Sequence, residues 1–165
     1  MDPLRLEGLA GRDLLSLADL SREEFAGLLD SAVTLKQNWK RGVRPPYLAQ
    51  RTLAMIFEKP SLRTRTTFDI AMYQLGGHAV LLDQASIGLG VRETVRDVAT
   101  NLSRWVDAIM ARTHAHATLT QLAEHASVPV VNGLSDLLHP TQAVADYITL
   151  RERFGDLQGL ELVYV

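Results

Sequence analysis

The chain has 165 residues, of which 47% are apolar and 22% are charged, as is typical of a soluble globular protein with one well-formed core. Its 17 basic and 19 acidic residues give a net charge of −2, which excludes a global field that would attract nucleic acid or an anionic membrane, so any bound anion must be held locally. The absence of cysteine excludes disulfide bonds and thiolate metal sites.

The first predicted element is a helix that begins after Ser21 and ends before Gly42. Apolar residues recur at helical spacing between Phe25 and Leu35. Ser21, with a glutamate three residues later, has the sequence signature of a capping box. Gly42 is typical of the residue that follows the last turn of a helix.

Four short apolar runs follow, and each is uninterrupted, which is typical of strands buried on both faces. They cover residues 52–57, 79–82, 108–111 and 128–131. Helical patterns alternate with them over residues 61–75, 92–104, 117–126 and 140–153. This alternation predicts an α/β fold, namely a doubly wound parallel sheet of about four strands flanked by helices and joined by right-handed crossovers.

The two ends of the chain suggest its organisation. The stretch GDLQGLELVYV predicts a turn and then a fifth apolar strand, so we predict one domain over residues 1–155 and the beginning of a second domain at residues 156–165. The first residues contain no basic segment followed by an apolar run, and no run approaches the ~20 residues of a membrane span. These features favour a cytoplasmic protein with no membrane or nucleic-acid partner.

The stretch KPSLRTRTTF places hydroxyl and guanidinium groups at a predicted helix start. Ser61 follows the first strand and a proline and precedes the apolar stripe of a helix. Free backbone N–H groups and the helix dipole favour phosphate at such an end. The hydroxyls of Ser61 and Thr64 add donors, and Arg63 adds a planar charged fork that can hold two phosphate oxygens. The cluster therefore predicts an anion site.

The alternative for this stretch is a well-capped helix whose arginines pair with Asp69 or Glu58. Serine alone is a common helix cap. Two cations in the first turns oppose the helix dipole, however, and this favours the anion site for the cluster as a whole. For Arg65, both an anion-binding role and a packing or salt-bridge role remain open.

Other polar groups follow the third and fourth predicted strands, and in a parallel sheet these ends share one edge with the first strand. Arg112 ends the third run and can supply a second cation. His139 lies at the entry of the last helix, before a proline, and Gln142 follows on the same face. A histidine and a carboxamide offer donors to a carbonyl oxygen and an acceptor to an amide N–H, so this pair can orient a planar acyl or carbamoyl group.

Several other site types find no support in the sequence. His114, His116 and His125 have no acidic or cysteine partner at a usable spacing, so we predict surface histidines and no metal site. The chain contains neither a G-x-G-x-x-G nor a G-x-x-x-x-G-K-[ST] motif, so we expect no dinucleotide or P-loop site and no cofactor. The glycine-rich stretch GLGVRE is either a plain connection or a loop that carries Arg92 toward a ligand.

Taken together, S-x-R-T-R after the first strand, M-A-R-T at the end of the third and H-P-x-Q at the last helix resemble the transcarbamoylase family. The stretches FEKPSLRTR, MYQLGGHAV, VDAIMART and VPVVNGLSDLLHPTQAVAD are most similar to its ornithine-specific members. The resemblance covers about residues 12–155. H-P-x-Q alone is weakly specific, whereas S-x-R-T-R followed by H-P-x-Q in this order and spacing is strongly specific.

The resemblance implies the carbamoyl-phosphate-binding half of an enzyme that transfers a carbamoyl group to ornithine, giving citrulline and phosphate, in arginine biosynthesis or a urea-cycle type step. It implies no metal and no cofactor. The residues that it assigns to phosphate are Ser61, Leu62 through its backbone N–H, Arg63 and Thr64. It assigns a bridging role between phosphate and carbonyl to Arg112, and it assigns the carbamoyl oxygen and amide to His139 and Gln142. These last three would be the catalytic residues.

The resemblance also implies partners. Family members are homotrimers or higher homo-oligomers, and a loop near residues 86–93 reaches the neighbouring subunit's site, which makes Arg92 a possible cross-subunit residue. Ornithine is held by a second α/β domain, of which this chain would contain only the first strand. The 165-residue chain by itself is therefore expected to be inactive.

Three positions depart from the family pattern. Leu62 stands where threonine is common, so only its backbone N–H can contact the ligand. Gly88 stands where glutamine is frequent, and Thr141 replaces a cysteine between the two ligand-binding residues of the last motif. Two other functions remain as alternatives: transfer to aspartate or another amino acid, and a non-catalytic fragment that binds carbamoyl phosphate or phosphate.

Overall fold

The sheet consists of four parallel strands in the order β2-β1-β3-β4. The structure is a computed structural model that describes residue 4 and residues 6–163. The strands are Thr52–Phe57 (β1), His78–Asp83 (β2), Ala108–Arg112 (β3) and Val130–Leu134 (β4). The order confirms the predicted doubly wound α/β fold, because the chain reverses its direction of winding between β1 and β3.

The helices lie between the strands, as the alternating pattern predicts. They are Arg22–Lys40 (α1), Leu62–Gln74 (α2), Gln84–Ile87 (α3), Val95–Leu102 (α4), His116–His125 (α5) and Pro140–Phe154 (α6), with a single 3-10 turn at Leu17–Asp19. The predicted capping box at Ser21 is present in full. Within the described residues, no helix is long and apolar enough to cross a membrane.

The core is divided by the sheet into two layers. Five consecutive residues of β1, from Leu53 to Phe57, are buried, which explains why this strand is an uninterrupted apolar run. Its alternate residues Ala54 and Ile56 face a cluster formed with α4 and α5. The intervening residues, with Met55 at the centre, pack on the other side toward α2. Both faces of the central strands are therefore covered by helices.

Four details differ from the predicted elements. The fourth strand begins at Val130 rather than at 128, since Pro129 has no N–H to donate to the sheet. Helix α4 is shorter than predicted because the hydroxyl of Thr94 caps it and accepts a hydrogen bond from the N–H of Asp97 at 3.1 Å. Helix α3 was not predicted. Residues 160–163 form no strand, and residues 164 and 165 of the predicted fifth strand lie outside the described residues.

The segment before α1 makes an unpredicted contact with the sheet edge. Leu14 bridges to Val131 in parallel orientation, with hydrogen bonds from Leu14 N to Val130 O at 2.8 Å and from Asn132 N to Leu14 O at 2.9 Å. The carboxylate of Asp13 accepts a hydrogen bond from the N–H of Val130 at 2.7 Å. The outer edge of β4 is thereby covered over its central residues.

Candidate functional site

The amino terminus of α2 is an anion-attracting helix end. The Ser61 side chain accepts a hydrogen bond from the N–H of Thr64 at 3.2 Å, and no acidic residue lies in the first turn. An ordinary helix start would favour an acid there. Thr64 is buried, whereas Leu62 and Arg63 are exposed beside it. The first turn of α2 therefore presents its positive end without an internal counter-charge.

Arg112, the last residue of β3, lies beside this helix end. It lies opposite Phe57 in the pairing of β1 with β3, and its Nη1 donates a hydrogen bond to the hydroxyl oxygen of Thr64 at 3.1 Å. Its Nε is buried and has no hydrogen-bond partner in the described part of the chain. A buried unpaired donor is costly, so this guanidinium is placed to bind a further acceptor.

The charges at this edge are close enough to act on one another. Burial, and to a smaller extent the charge of Arg63, lowers the pKa of Arg112. No ion pair of Arg63 exists within the described residues. Two guanidinium groups thus face the same region beside a positive helix end. The two like charges repel each other, and an anion bound between them would offset that repulsion.

His139, which follows the fourth strand, lies close enough to Arg112 to be affected by its charge. It occupies the N-cap position of α6, directly before Pro140, and is half-buried. Burial and the nearby Arg112 lower the pKa of His139, while Asp146 opposes them. The lowered pKa keeps the imidazole neutral near pH 7, so one ring nitrogen can donate a hydrogen bond and the other can accept one. Its Nδ1 lies 3.3 Å from the Thr141 hydroxyl.

Gln142 lies one turn into α6 and is exposed. Its side-chain amide donates a hydrogen bond to the Asp146 carboxylate at 2.9 Å. This bond fixes the amide nitrogen and leaves the carbonyl oxygen as the acceptor that Gln142 can offer to a ligand.

Two further arginines, Arg65 and Arg92, differ in their surroundings. Arg65 lines an open pocket of about 790 Å³ together with Asp83 and with Ser61 and Leu62 of the helix start. Hydrogen bonds from Ser86 lower the pKa of Asp83, and the charge of Arg65 lowers it further. Arg92 is exposed and folds back on its own loop.

The loop around Arg92 is held by its own backbone. Nη2 of Arg92 donates a hydrogen bond to the carbonyl oxygen of Ser86 at 3.0 Å, and the Gly88 carbonyl accepts from the N–H groups of Val91 and Arg92. Gly88 has a φ of 60°, and a Cβ there would lie 2.8 Å from the Cβ of Arg92. The glycine therefore allows the turn to close against Arg92.

One side-chain network at the site has no counterpart among the predicted residues. His116 is half-buried rather than a surface residue, and its Nδ1 lies 3.0 Å from the Ser135 hydroxyl. Asn132 is completely buried. A polar asparagine directly after the fourth apolar run was the only sequence signal for this network. The described residues contain no group of three histidines, cysteines or acids that could hold a metal ion.

The chain is similar to known proteins in both sequence and fold. Residues 12–152 match the family described as aspartate/ornithine carbamoyltransferase, carbamoyl-P binding domain. The ornithine carbamoyltransferase of Deinococcus radiodurans is 54% identical over 95% of the chain. The solved ornithine carbamoyltransferase of Pyrococcus furiosus superposes with a TM-score of 0.90 at 50% identity over 92% of the chain.

A second solved structure, the ornithine carbamoyltransferase of Thermus thermophilus, gives a TM-score of 0.83 at 54% identity over 90% of the chain. In each case the match accounts for only part of the relative, namely 51%, 48% and 50% of the proteins from Deinococcus, Pyrococcus and Thermus. The chain therefore spans about half the length of the relatives that it matches.

Proposed function

Because the chain belongs to the carbamoyl-phosphate-binding domain family of aspartate and ornithine carbamoyltransferases, we propose that it forms the carbamoyl-phosphate-binding half of an ornithine carbamoyltransferase. The identities of about one half to ornithine carbamoyltransferases support ornithine as the acceptor. The proposed reaction converts carbamoyl phosphate and ornithine to citrulline and phosphate. The proposed domain covers residues 1–155, and a second domain that holds ornithine begins at residue 156.

The phosphate group is proposed to bind at the amino terminus of α2. Its contacts are the side chains of Ser61, Arg63 and Thr64 and the backbone N–H of Leu62. Support comes from the free helix end and from the absence of an acid in its first turn. Because Leu62 is largely exposed, its apolar side chain can stay outside the phosphate contacts.

The carbamoyl group is proposed to bind between β3 and α6. Arg112 bridges the phosphate and the carbonyl oxygen, His139 donates a hydrogen bond to that oxygen, and the side-chain oxygen of Gln142 accepts from the carbamoyl N–H. Support comes from the unpaired Nε of Arg112 and from the lowered pKa of His139, which is caused by burial and by the charge of Arg112.

This arrangement suits the electron flow of the reaction. The amine nitrogen of ornithine forms a bond to the carbamoyl carbon and loses a proton, and the bond from that carbon to the phosphate oxygen breaks. Negative charge grows on the carbonyl oxygen and on the leaving phosphate. Fixed cations and donors at these two positions lower the barrier because they are already oriented before the charge develops.

The proposal extends to assembly and location. A homotrimer or higher homo-oligomer would allow the loop with Arg92 to reach a neighbouring site, and its exposed position on a short turn is compatible with that role. A place in arginine biosynthesis and a cytoplasmic location complete the proposal. Chemical crosslinking and mass measurement in solution test the assembly independently of ligand binding.

The observation that carries the proposal is the half-buried Arg112, which reaches from β3 to Thr64 of α2 and keeps a buried Nε donor unpaired. Isothermal titration calorimetry with fresh carbamoyl phosphate tests it. We expect one site per chain, with weaker binding of inorganic phosphate and little binding of acetate. Equal, weak heats for all three anions would overturn the proposed site.

A further inference from the structure

The loop that precedes His139 is held in place by two buried side chains that are not among the proposed ligand contacts. This loop, residues 135–138, connects β4 with α6 and is called the β4–α6 loop below. Asn132, in β4, is completely buried, and Ser135, at the start of the loop, is almost completely buried. Within the described residues, neither side chain forms a hydrogen bond with a residue that is proposed to contact the ligand, so their burial needs another explanation.

Asn132 uses its whole amide group to tie three segments together. Its Nδ2 donates hydrogen bonds to the carbonyl oxygens of Leu15 at 3.0 Å and Leu138 at 3.3 Å. Its Oδ1 accepts from the N–H of Leu134 at 2.9 Å. The side chain therefore links the segment before α1, the end of β4 and the last residue of the β4–α6 loop.

The end of β4 has a strained backbone that Asn132 stabilises. Leu134 has a φ of 143°, which is rare for a residue with a Cβ. Such strain persists only where surrounding contacts over-determine it, and it clusters at functional sites. Two hydrogen bonds hold Leu134 in this conformation. Its N–H donates to Oδ1 of Asn132, and its carbonyl oxygen accepts from the N–H of Thr113 at 2.9 Å.

Ser135 fixes the remainder of the loop. Its hydroxyl oxygen accepts hydrogen bonds from the N–H groups of Leu137 at 3.2 Å and Leu138 at 3.1 Å. Its own N–H donates to the Leu138 carbonyl at 3.0 Å. That carbonyl belongs to the residue directly before His139 and also accepts from Asn132. The peptide plane that enters His139 is thus held by two donors.

The loop is also attached to the adjacent helix. The N–H of His116, the first residue of α5, donates a hydrogen bond to the Asp136 carboxylate at 2.7 Å, and the His116 ring contacts the Ser135 hydroxyl. The β4–α6 loop is therefore anchored on two sides, by β4 and by α5. These anchors fix the position of His139, the residue that directly follows the loop.

We propose that Asn132 and Ser135 are positioning residues that hold His139 against the carbamoyl group, and so give the site its preference for carbamoyl phosphate over inorganic phosphate. The inference rests on the proposed function for its ligand. The proposed phosphate contacts come from α2 and Arg112, and within the described residues the side chains of Asn132 and Ser135 form no hydrogen bond with either. A loss of positioning should therefore weaken binding at the carbamoyl end alone.

The test compares two ligands in two variants of the purified 165-residue chain. For Asn132→Ala, we expect the affinity for carbamoyl phosphate to fall roughly five- to tenfold, equivalent to about one lost hydrogen bond, with the affinity for inorganic phosphate unchanged. Ser135→Ala, which leaves the strand interior intact, should give the same split with a smaller loss. Asn101→Ala, an amide removed from the exposed side of α4, is the matched control and should change neither affinity.

Two further measurements separate positioning from general damage. In a His139→Ala background, Asn132→Ala should have no additional effect on carbamoyl phosphate affinity, because residues that act through one another are not additive. The His139 ring signals in NMR spectra should move in Asn132→Ala and Ser135→Ala without ligand. If Asn132→Ala does not fold, as judged by circular dichroism, Ser135→Ala decides the question.

An unchanged ratio of the two affinities, or unmoved His139 ring signals, in a folded variant overturns the positioning role. Equal losses for both ligands overturn it too, because they indicate damage to the whole site. If the unaltered chain does not prefer carbamoyl phosphate to phosphate, the proposed function fails, and the ring signals alone then report whether the loop holds His139.

Discussion

At the scale of single residues, the site places positive charge where folding alone would avoid it. Arg63 and Arg112 lie near enough for the charge of one to lower the pKa of the other, and both lie beside the positive end of α2. A fold selected only for stability would place an acid there. The arrangement supports the proposal of an anionic ligand, which would offset the repulsion.

Arg63→Ala tests this reading. We expect carbamoyl phosphate binding to weaken by about 1.5–3 kcal/mol, the range for hydrogen bonds to charged groups. The free energy of unfolding should stay unchanged or rise, because the substitution removes a cation from a positive helix end. Calorimetry and urea denaturation measure the two quantities.

The matched control for this substitution is Arg104→Ala, which removes an exposed arginine near the amino ends of the strands. It changes the net charge equally but should leave binding intact. If both variants bind equally weakly, the effect of Arg63 is one of overall charge, and the specific contact is refuted.

His139 links the site to the pH dependence of stability. Its pKa is lowered in the folded chain, first by burial and then by Arg112. An unfolded chain takes up a proton near the ordinary histidine pKa of about 6.5, whereas the folded chain resists it. The unfolded state therefore binds more protons in this window, and the free energy of unfolding falls as the pH falls.

We accordingly expect His139→Gln to flatten the loss of stability between about pH 7 and about pH 5. Glutamine keeps a polar group at the helix entry without a titrating proton. Denaturant unfolding at several pH values measures the slope, and Gln121→Ala, an exposed substitution on α5, serves as the control. The same slope in His139→Gln and in the unaltered chain would contradict the lowered pKa.

At the scale of elements, the sequence predicts what depends on burial and misses what depends on a few hydrogen bonds. The strands β1 and β3 are uninterrupted apolar runs because helices cover both faces. Helix α3 has four residues, too few to show a periodic pattern. The bridge at Leu14 is a single residue pair, and no local pattern indicates which strand edge such a residue will meet.

The residues of the proposed site also fall into a predictable group and a group that the sequence does not indicate. Ser61, Arg112 and His139 converge as predicted because the carboxyl ends of parallel strands share one edge. The network of Asn132, Ser135 and His116 was not predicted, since its hydrogen bonds depend on the path of the β4–α6 loop. The role of Arg65 was left open by the sequence. The structure places it in one pocket with Asp83 of β2, a position that depends on how α2 packs against the sheet.

Gly133 is a position in β4 that has no room for a larger side chain. It lies in β4 between Asn132 and Leu134, and a Cβ there would overlap Sδ of the fully buried Met110. Gly133→Ala should therefore destabilise the fold by about 1–3 kcal/mol, as overpacking typically does. Thermal or urea unfolding measures the loss.

A double-mutant cycle identifies the cause of that loss. If the overlap with Met110 is responsible, Gly133→Ala combined with Met110→Ala should cost less than the sum of the two single substitutions. Strict additivity would point instead to a backbone effect of the alanine. The residue is adjacent to Asn132, so carbamoyl phosphate affinity should be recorded on the same samples.

At the scale of the whole molecule, the proposed site has groups for one substrate. The groups brought together by β1, β3 and β4 suit a phosphate and a carbonyl, and they lie at the switch point where ligands bind in doubly wound sheets. Exposed apolar side chains lie near the end of the described chain, including Phe154, Leu162 and Val163. Such a surface is typical of a region that packs against further structure.

The last prediction concerns the 165-residue chain by itself, which we expect to bind carbamoyl phosphate and to form no measurable citrulline. The chain spans about half the length of its relatives, and the proposed ornithine contacts belong to a second domain that begins at residue 156. Without those contacts the attack of the amine is bimolecular, and positioning can account for about 7–11 kcal/mol of a barrier. The loss of this positioning would lower the rate of citrulline formation below detection rather than by a small factor. Incubation of the purified chain with carbamoyl phosphate and ornithine, followed by a citrulline assay, measures this. Turnover above the uncatalysed background that is lost in Arg112→Ala would place the ornithine contacts within these residues and would refute the proposed division into domains.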